Sequence, residues 1–387
     1  MKTDNISKIL NIDFDIAEKL KMVNNKATPV THLTQYINSA KNEDIENVSL
    51  EELGNTTVII PHNGGPYDPE NNRCGLFGGN QSSLKLNIER FINDEQVHQI
   101  ISKYYEDFDS EDLELLFYRM SSVGCGYVAA INTIFQEYLS HSEQDFYDRF
   151  GFALYNNLGV AKGVGPIKIY NYEYLFLDFF LYYAKNERGF NTIEEVYGNA
   201  KEEMEANNNK VEDGALSNGY FSRTGMNGTV TPTVGEVLKR YLAEKGIEFE
   251  LSVGELELEP GGEAWQKKKE ELEEKGVEIE DDTKLYEKDL NKDIVKEILR
   301  QGKQIVISAD NFTMYYPEDY DGNGKLDDIR ADDVGSHAMS VVGTAPDGKL
   351  VVSTWGEEVL VDHLEIRNFV IYDYGTFNLF PKIFNSK

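Results

Sequence analysis

Apolar residues recur at three- and four-residue spacing through most of the chain and give way to β-branched runs near its end. Ile9, Ile12, Ile16, Leu20 and Val23 make one such stripe in a charged stretch, which predicts helix over residues 1 to about 54. Thr57-Val58-Ile59-Ile60 reads as a short strand closed by Pro61, and the Gly-, Asn- and Pro-rich segment 61–83 as loop. Helices are expected at about 89–105 and 111–120. A further helix runs from Tyr127, because Val128, Ile131, Ile134, Phe135 and Tyr138 share one face, with Ser121 or Ser122 placed to cap its start. Segment 141–200 reads as aromatic helix, 203–230 as polar loop, and 234–245 as a helix between a Thr233 cap and Gly246. The acidic section 255–287, broken at Pro260-Gly261-Gly262, carries a helix over 263–275 with charges all round, the pattern of a solvated surface excursion. An amphipathic helix at 290–300 and a buried strand at 304–308 follow.

Near the C-terminus, Ser336 to Gly343 and Leu350 to Gly356 flank Ala345-Pro346-Asp347-Gly348, in which Pro presets φ and Gly tolerates φ > 0. That is a β-hairpin signal. Helices first and strands late give an α+β fold class, with a helix packed on a C-terminal antiparallel sheet.

Composition adds exclusions. With 40% hydrophobic residues, 23 Tyr and 20 Phe, the chain can build a core. Its net charge of −30 opposes contact with nucleic-acid phosphates and anionic membranes. The most hydrophobic window, 170–184, is too short for a span and carries Glu173 and Asp178, so no membrane insertion is expected. Met1-Lys2-Thr3-Asp4-Asn5 leads into a charged stretch rather than an apolar leader core, which implies a soluble protein, cytoplasmic or exported.

Two cysteines make no disulfide framework. Cys125, between Gly124 and Gly126 at the start of an apolar helix, stands where peptide dipoles and free N–H groups favour a thiolate. Its own N–H is placed to bind an oxyanion. Cys74, in the loop Arg73-Cys74-Gly75-Leu76-Phe77-Gly78-Gly79, has no such helix start. Of six histidines, His337 lies at the mouth of a hairpin strand, where a neutral imidazole can take and return a thiol proton. His62, beside Asn63-Gly64-Gly65, reads as a turn residue.

Ser336-His337-Ala338-Met339-Ser340-Val341-Val342-Gly343, a turn, then Val351-Val352-Ser353-Thr354-Trp355-Gly356 resembles the histidine hairpin of papain-like cysteine peptidases, in which Asn-Ser-Trp-Gly follows the histidine strand. Gly124-Cys125-Gly126-Tyr127-Val128-Ala129-Ala130 is similar to the cysteine helix of the bacterial branch, the leader-peptide peptidases of bacteriocin exporters. The likeness covers roughly residues 115–375. It implies a papain-like fold, a catalytic domain over 111–387 with an acidic insertion around 250–288, and a helical N-terminal extension over 1–110. It further implies Cys125 as nucleophile, His337 as base and acid, Ser353 (with Thr354 beside it) orienting the imidazole, and Trp355 covering the pair. The chain departs from that family in three ways. Ser353 stands at the orienting Asn or Asp, Arg119 stands six residues before the cysteine where the family has its oxyanion glutamine, and the Cys125–His337 interval exceeds the usual spacing of about 130–150 residues.

Asp319-Tyr320-Asp321-Gly322-Asn323-Gly324-Lys325-Leu326-Asp327 resembles a calcium loop: oxygen ligands from Asp319, Asp321 and Asn323, Gly324 at the turn, the Lys325 carbonyl, and Asp327. Arg330 replaces the bidentate Glu, leaving Asp328, Asp332 or Asp333 to close a Ca2+ shell. The expected function is therefore a cysteine hydrolase, peptidase or amidase, acting on a peptide or protein substrate. The alternative is a calcium-binding, catalytically degenerate protein on the same scaffold.

Overall fold

A computed structural model describes residues 58–59, 81–138, 142–161, 165–211, 224–281, 283–310, 312–315, 328–330, 336–345, 347–354 and 357–375. Eight strands form one sheet: β4 (Glu250–Val253), β7 (Gln304–Asp310), β8 (Thr313–Tyr315), β9 (Asp328–Arg330), β10 (Ser336–Thr344), β11 (Leu350–Thr354), β12 (Glu357–Val361) and β13 (Ile366–Asp373). Their order is β4-β13-β7-β10-β11-β12-β8-β9, each neighbouring pair antiparallel. The fold is α+β. Alternation along β7 sends Ile305 and Ile307 to one face and Val306 to the other, and both faces are covered, which is why these strands read as continuous apolar runs. Gly348, at φ +92°, makes the β10–β11 turn, where Ala345 N–H donates to the Lys349 carbonyl at 2.8 Å.

The helices before the sheet are α1 (Ser83–Leu86), α2 (Ile88–Phe91), α3 (Glu95–Ser102), α4 (Ser110–Val123), α5 (Cys125–Glu137), α6 (Glu143–Phe150), α7 (Tyr172–Asn186), α8 (Ile193–Tyr197), α9 (Ala200–Val211) and α10 (Thr231–Glu244). The helix expected at 89–105 is split, because Asp94 caps α3 by accepting from the N–H groups of Gln96 and Val97. Helix α7 is buried almost all round, and its Asp178 accepts from Tyr104 and Tyr241 hydroxyls at 2.9 and 2.6 Å. Helices α5 and α10 pack on one face of the sheet. On the other, Ile294, Val295, Ile298 and Leu299 of α12 (Lys292–Arg300) meet Ile305, Ile307, Met339 and Val341. The apolar spacing of 290–300 is thus spent on the sheet face away from α5.

In the described part of 1–110, Leu84, Phe91, Val97, Ile100 and Ile101 share a core with α5 and α7. Two expectations change. Strands β2 (Tyr155–Ala161) and β3 (Gly165–Tyr170) form a hairpin inside the segment read as helical, and β1 (Val58–Ile59) pairs parallel with β3. The acidic section is anchored: α11 (Glu263–Glu274) buries Trp265 to 1% exposure against α12 and the sheet, with its indole N–H on the Thr283 carbonyl at 3.0 Å, beside a two-stranded ribbon of β5 (Leu256–Glu257) and β6 (Tyr286–Glu287). One tryptophan in a charged helix escapes a periodicity test. No helix among the described residues is long and apolar enough to cross a membrane.

Candidate active site

Cys125 is the first residue of α5, and only Gly124 separates it from the end of α4. A Cβ on Gly124 would lie 2.4 Å from the Met120 carbonyl oxygen and 2.5 Å from Phe176, so the tight α4–α5 junction admits only glycine. Neither Ser121 nor Ser122 caps α5. Both lie within α4, where Ser122 donates to the Tyr118 carbonyl at 3.0 Å and Ser121 shares a 2.8 Å hydrogen bond with Ser82. The half-buried Cys125 sulfur accepts a hydrogen bond from the backbone N–H of Ala338, the residue next to His337 on β10. The β10–β11 pairing ends at Ser340–Ser353. One turn along α5, the Ser340 hydroxyl donates to the Ala129 carbonyl at 2.9 Å and pins strand to helix.

His337, 2% exposed, lies on the Met339 side of the sheet, its ring parallel to Phe312 with centroids 6.5 Å apart. Its Nε2 shares a 2.5 Å hydrogen bond with Thr354 Oγ1. The hydroxyl at Nε2 is thus that of Thr354, where the sequence reading set Ser353 first. A bulge accounts for the exchange. From the turn, Thr344 pairs with Leu350, a register that carried onward would set Ser353 opposite Val341, on the face of His337. The register slips by one between Val341 and Gly343, so Ser340 faces Ser353. Ser353 consequently points to the α5 side with Ser340.

Arg119 is no oxyanion donor. It is fully buried and donates to the Tyr197 carbonyl at 3.0 Å, Glu203 Oε2 at 3.0 Å, Asn199 Oδ1 at 3.1 Å and the Thr224 carbonyl at 3.3 Å. The glutamine beside the thiol is Gln81, whose side-chain amide donates to the Ser121 carbonyl at 2.6 Å and whose Cβ packs at Gly124. Nothing local in the sequence marked it, because it arrives from a glycine-rich segment far upstream of the cysteine. Gln81, Cys125, Ala338, Ser353 and Thr354 line a cavity of about 10 Å³, completed by Val128, Ala129 and Asn132 of α5. Asn132 is 1% exposed, and its Oδ1 has no partner among the described residues. An unpaired buried carbonyl of this kind costs about 1–3 kcal/mol.

Burial raises the Cys125 thiol above its usual range, partly offset by backbone donors led by Ala338. Burial also lowers His337 from 6.5 to about 4. The resting pair is therefore a neutral thiol and a neutral imidazole. At the other end of α5, burial pushes Glu137 up to about 7, against the 3.1 Å hydrogen bond it accepts from Gln304 and with repulsion from Asp373.

These two shifts act oppositely on stability. The unfolded chain protonates His337 near 6.5 and the folded chain only near 4, so stability falls by about 3 kcal/mol as pH drops across that window. Glu137 keeps its proton to about 7 when folded and to 4.5 when unfolded, so its contribution is complete below pH 4.5 and is lost as pH rises to 7. Urea titrations of the wild type should vary little between pH 4.5 and 6.5, whereas Glu137→Gln should lose stability steeply toward acid. A flat profile for that variant would contradict the buried neutral histidine.

Cys74, His62 and Trp355 lie outside the described residues, as do the calcium-loop positions Asp319, Asp321, Asn323, Lys325 and Asp327 with Asp332 and Asp333. Asp328 and Arg330 belong to β9, a strand paired with β8, where an EF-hand loop leads into a helix. No group of three or more His, Cys, Asp or Glu arranged for a metal ion occurs among the described residues. Comparison with protein-family models, curated proteins and solved structures returns no match.

Proposed function

We propose that this chain is a papain-like cysteine hydrolase acting on a peptide or amide carbonyl. The observation that supports the reading is the Cys125 sulfur on the N–H of Ala338, the residue next to His337, whose Nε2 is bonded to Thr354 Oγ1. In this reading Nε2–H donates to Thr354, and Nδ1, reaching past the end of the β10–β11 pairing, accepts the thiol proton. Sulfur attacks the carbonyl as that proton moves to His337, and the imidazolium then gives it to the departing amine. Water hydrolyses the thioester with His337 again as base. The Cys125 N–H at the α5 terminus and the Gln81 amide, swung from the Ser121 carbonyl, are the donors nearest the developing oxyanion. Thr354 holds the tautomer without supplying the charge that a carboxylate would.

The test is thiol alkylation. Iodoacetamide should modify wild-type Cys125 at a rate that climbs with pH into the alkaline range, with no acid plateau, because the resting pair is neutral. Cys125→Ser should abolish this pH-dependent labelling. Equal, slow labelling of Cys74 and Cys125 would defeat the proposal and favour a binding protein. Calcium at 319–327 is a separate proposal: titration calorimetry should give heat with the wild type and none with Asp321→Ala.

A further inference from the structure

The stripe of α5 that faces β10 runs Cys125, Val128, Ala129 and Asn132, so Asn132 stands two turns beneath the thiol on the same side. It is the polar residue of an otherwise apolar stripe, it is 1% exposed, and its Oδ1 has no partner among the described residues. The cavity that it lines measures about 10 Å³ and also touches Ser353 and Cys125. About 10–15 Å³ is the room one water requires, and a bound water needs two to four polar partners. Asn132 Oδ1, the Ser353 hydroxyl and the sulfur are of that number and kind. A carbonyl oxygen only accepts, so the occupant must donate; anions are excluded by sign, and larger ligands by volume.

We propose that the seam between α5 and the β10–β11 hairpin is a binding site for one internal water, held by Asn132 and Ser353, which donates to the Cys125 sulfur and hydrates its thiolate. The water rests on the geometry alone, while its role in the reaction rests on the hydrolase reading. Burial opposes the charged thiol here, and the backbone N–H groups of Ala338, Gly126 and Cys125 offset it only in part. A further donor, confined in the cavity, lowers that opposition without opening the site to bulk solvent. Asn132 is then a positioning residue: it holds the water and touches no substrate.

A high-resolution crystal structure of the full chain should show one water within hydrogen-bond distance of Asn132 Oδ1. Asn132→Leu, close in volume and unable to bond, should lose that water, move the midpoint of the alkylation pH profile up by about one unit and slow labelling about tenfold at pH 8. Ser353→Ala should move the midpoint the same way, which covers the case of a poorly folded Asn132 variant. A purely structural asparagine would alter the melting temperature and leave the midpoint in place. Absence of the water in the wild type, or wild-type midpoints in both variants, would overturn the proposal. A wild-type Cys125 that labels no faster than Cys74 would remove the hydrolase reading alone, since the water and the three midpoints are still measured.

Discussion

His337→Ala should slow acylation of Cys125 by p-nitrophenyl acetate by about 10²- to 10⁴-fold, the range that a positioned acid–base group supplies. The wild type is expected to release a burst of nitrophenolate equal to one acyl group per chain, followed by slow turnover. Cys125→Ser should give no burst. His337 is buried against Phe312 and fixed at Nε2 by Thr354, so it has one orientation to offer, and losing the ring leaves no other base on β10. Thr354→Val removes the hydrogen bond and keeps the shape. Its expected loss is about tenfold, equivalent to about 1.4 kcal/mol, as for one neutral hydrogen bond. Restoration by Thr354→Asn would support an orienting role. An unchanged burst rate in His337→Ala would show that the imidazole serves packing and not chemistry.

Arg119→Met should destabilise the fold by about 3–5 kcal/mol, the largest single effect on stability expected outside the core. Removing the guanidinium strands Glu203, 6% exposed, without its 3.0 Å partner and leaves the Tyr197 and Thr224 carbonyls and Asn199 Oδ1 short of a donor. Urea denaturation should give a lower midpoint with an unchanged slope. Glu203→Gln in the same background should recover a substantial part, because the unpaired charge and not the lost attraction accounts for most of the loss. Additive effects of the two changes would mean that the pair is not coupled. The arginine ties α4, which ends at the Gly124 junction, to the 197–199 turn and the 224 loop. Its variants should therefore lower the burst amplitude in proportion to the fraction unfolded, with the rate of the remaining fraction intact.

Much of the layout could be read along the chain. Helix α5 was legible because Val128, Ile131, Ile134 and Phe135 repeat at helical spacing, and β10–β11 because β-branched runs flank a Pro-Asp-Gly turn. The β2–β3 hairpin was missed where Tyr155, Tyr170 and Tyr172 sit in an aromatic run that fits either period. Trp265 was missed because a single anchor in a charged helix produces no stripe.

The identity of the groups around the thiol divides along a sharper line. Local chemistry determined that a cysteine would open an apolar helix and that a histidine would sit at the mouth of a hairpin, since turn residues and periodicity act over a few positions. Which hydroxyl meets the imidazole was decided by a bulge whose one-residue slip turns Thr354 toward His337 and Ser353 toward α5. That Gln81 rather than the residue at 119 flanks the sulfur was decided by packing at Gly124, between segments with no short-range relation. Spacing along a chain sets which way a side chain points within its own element; only the docking of distant elements sets what it meets there.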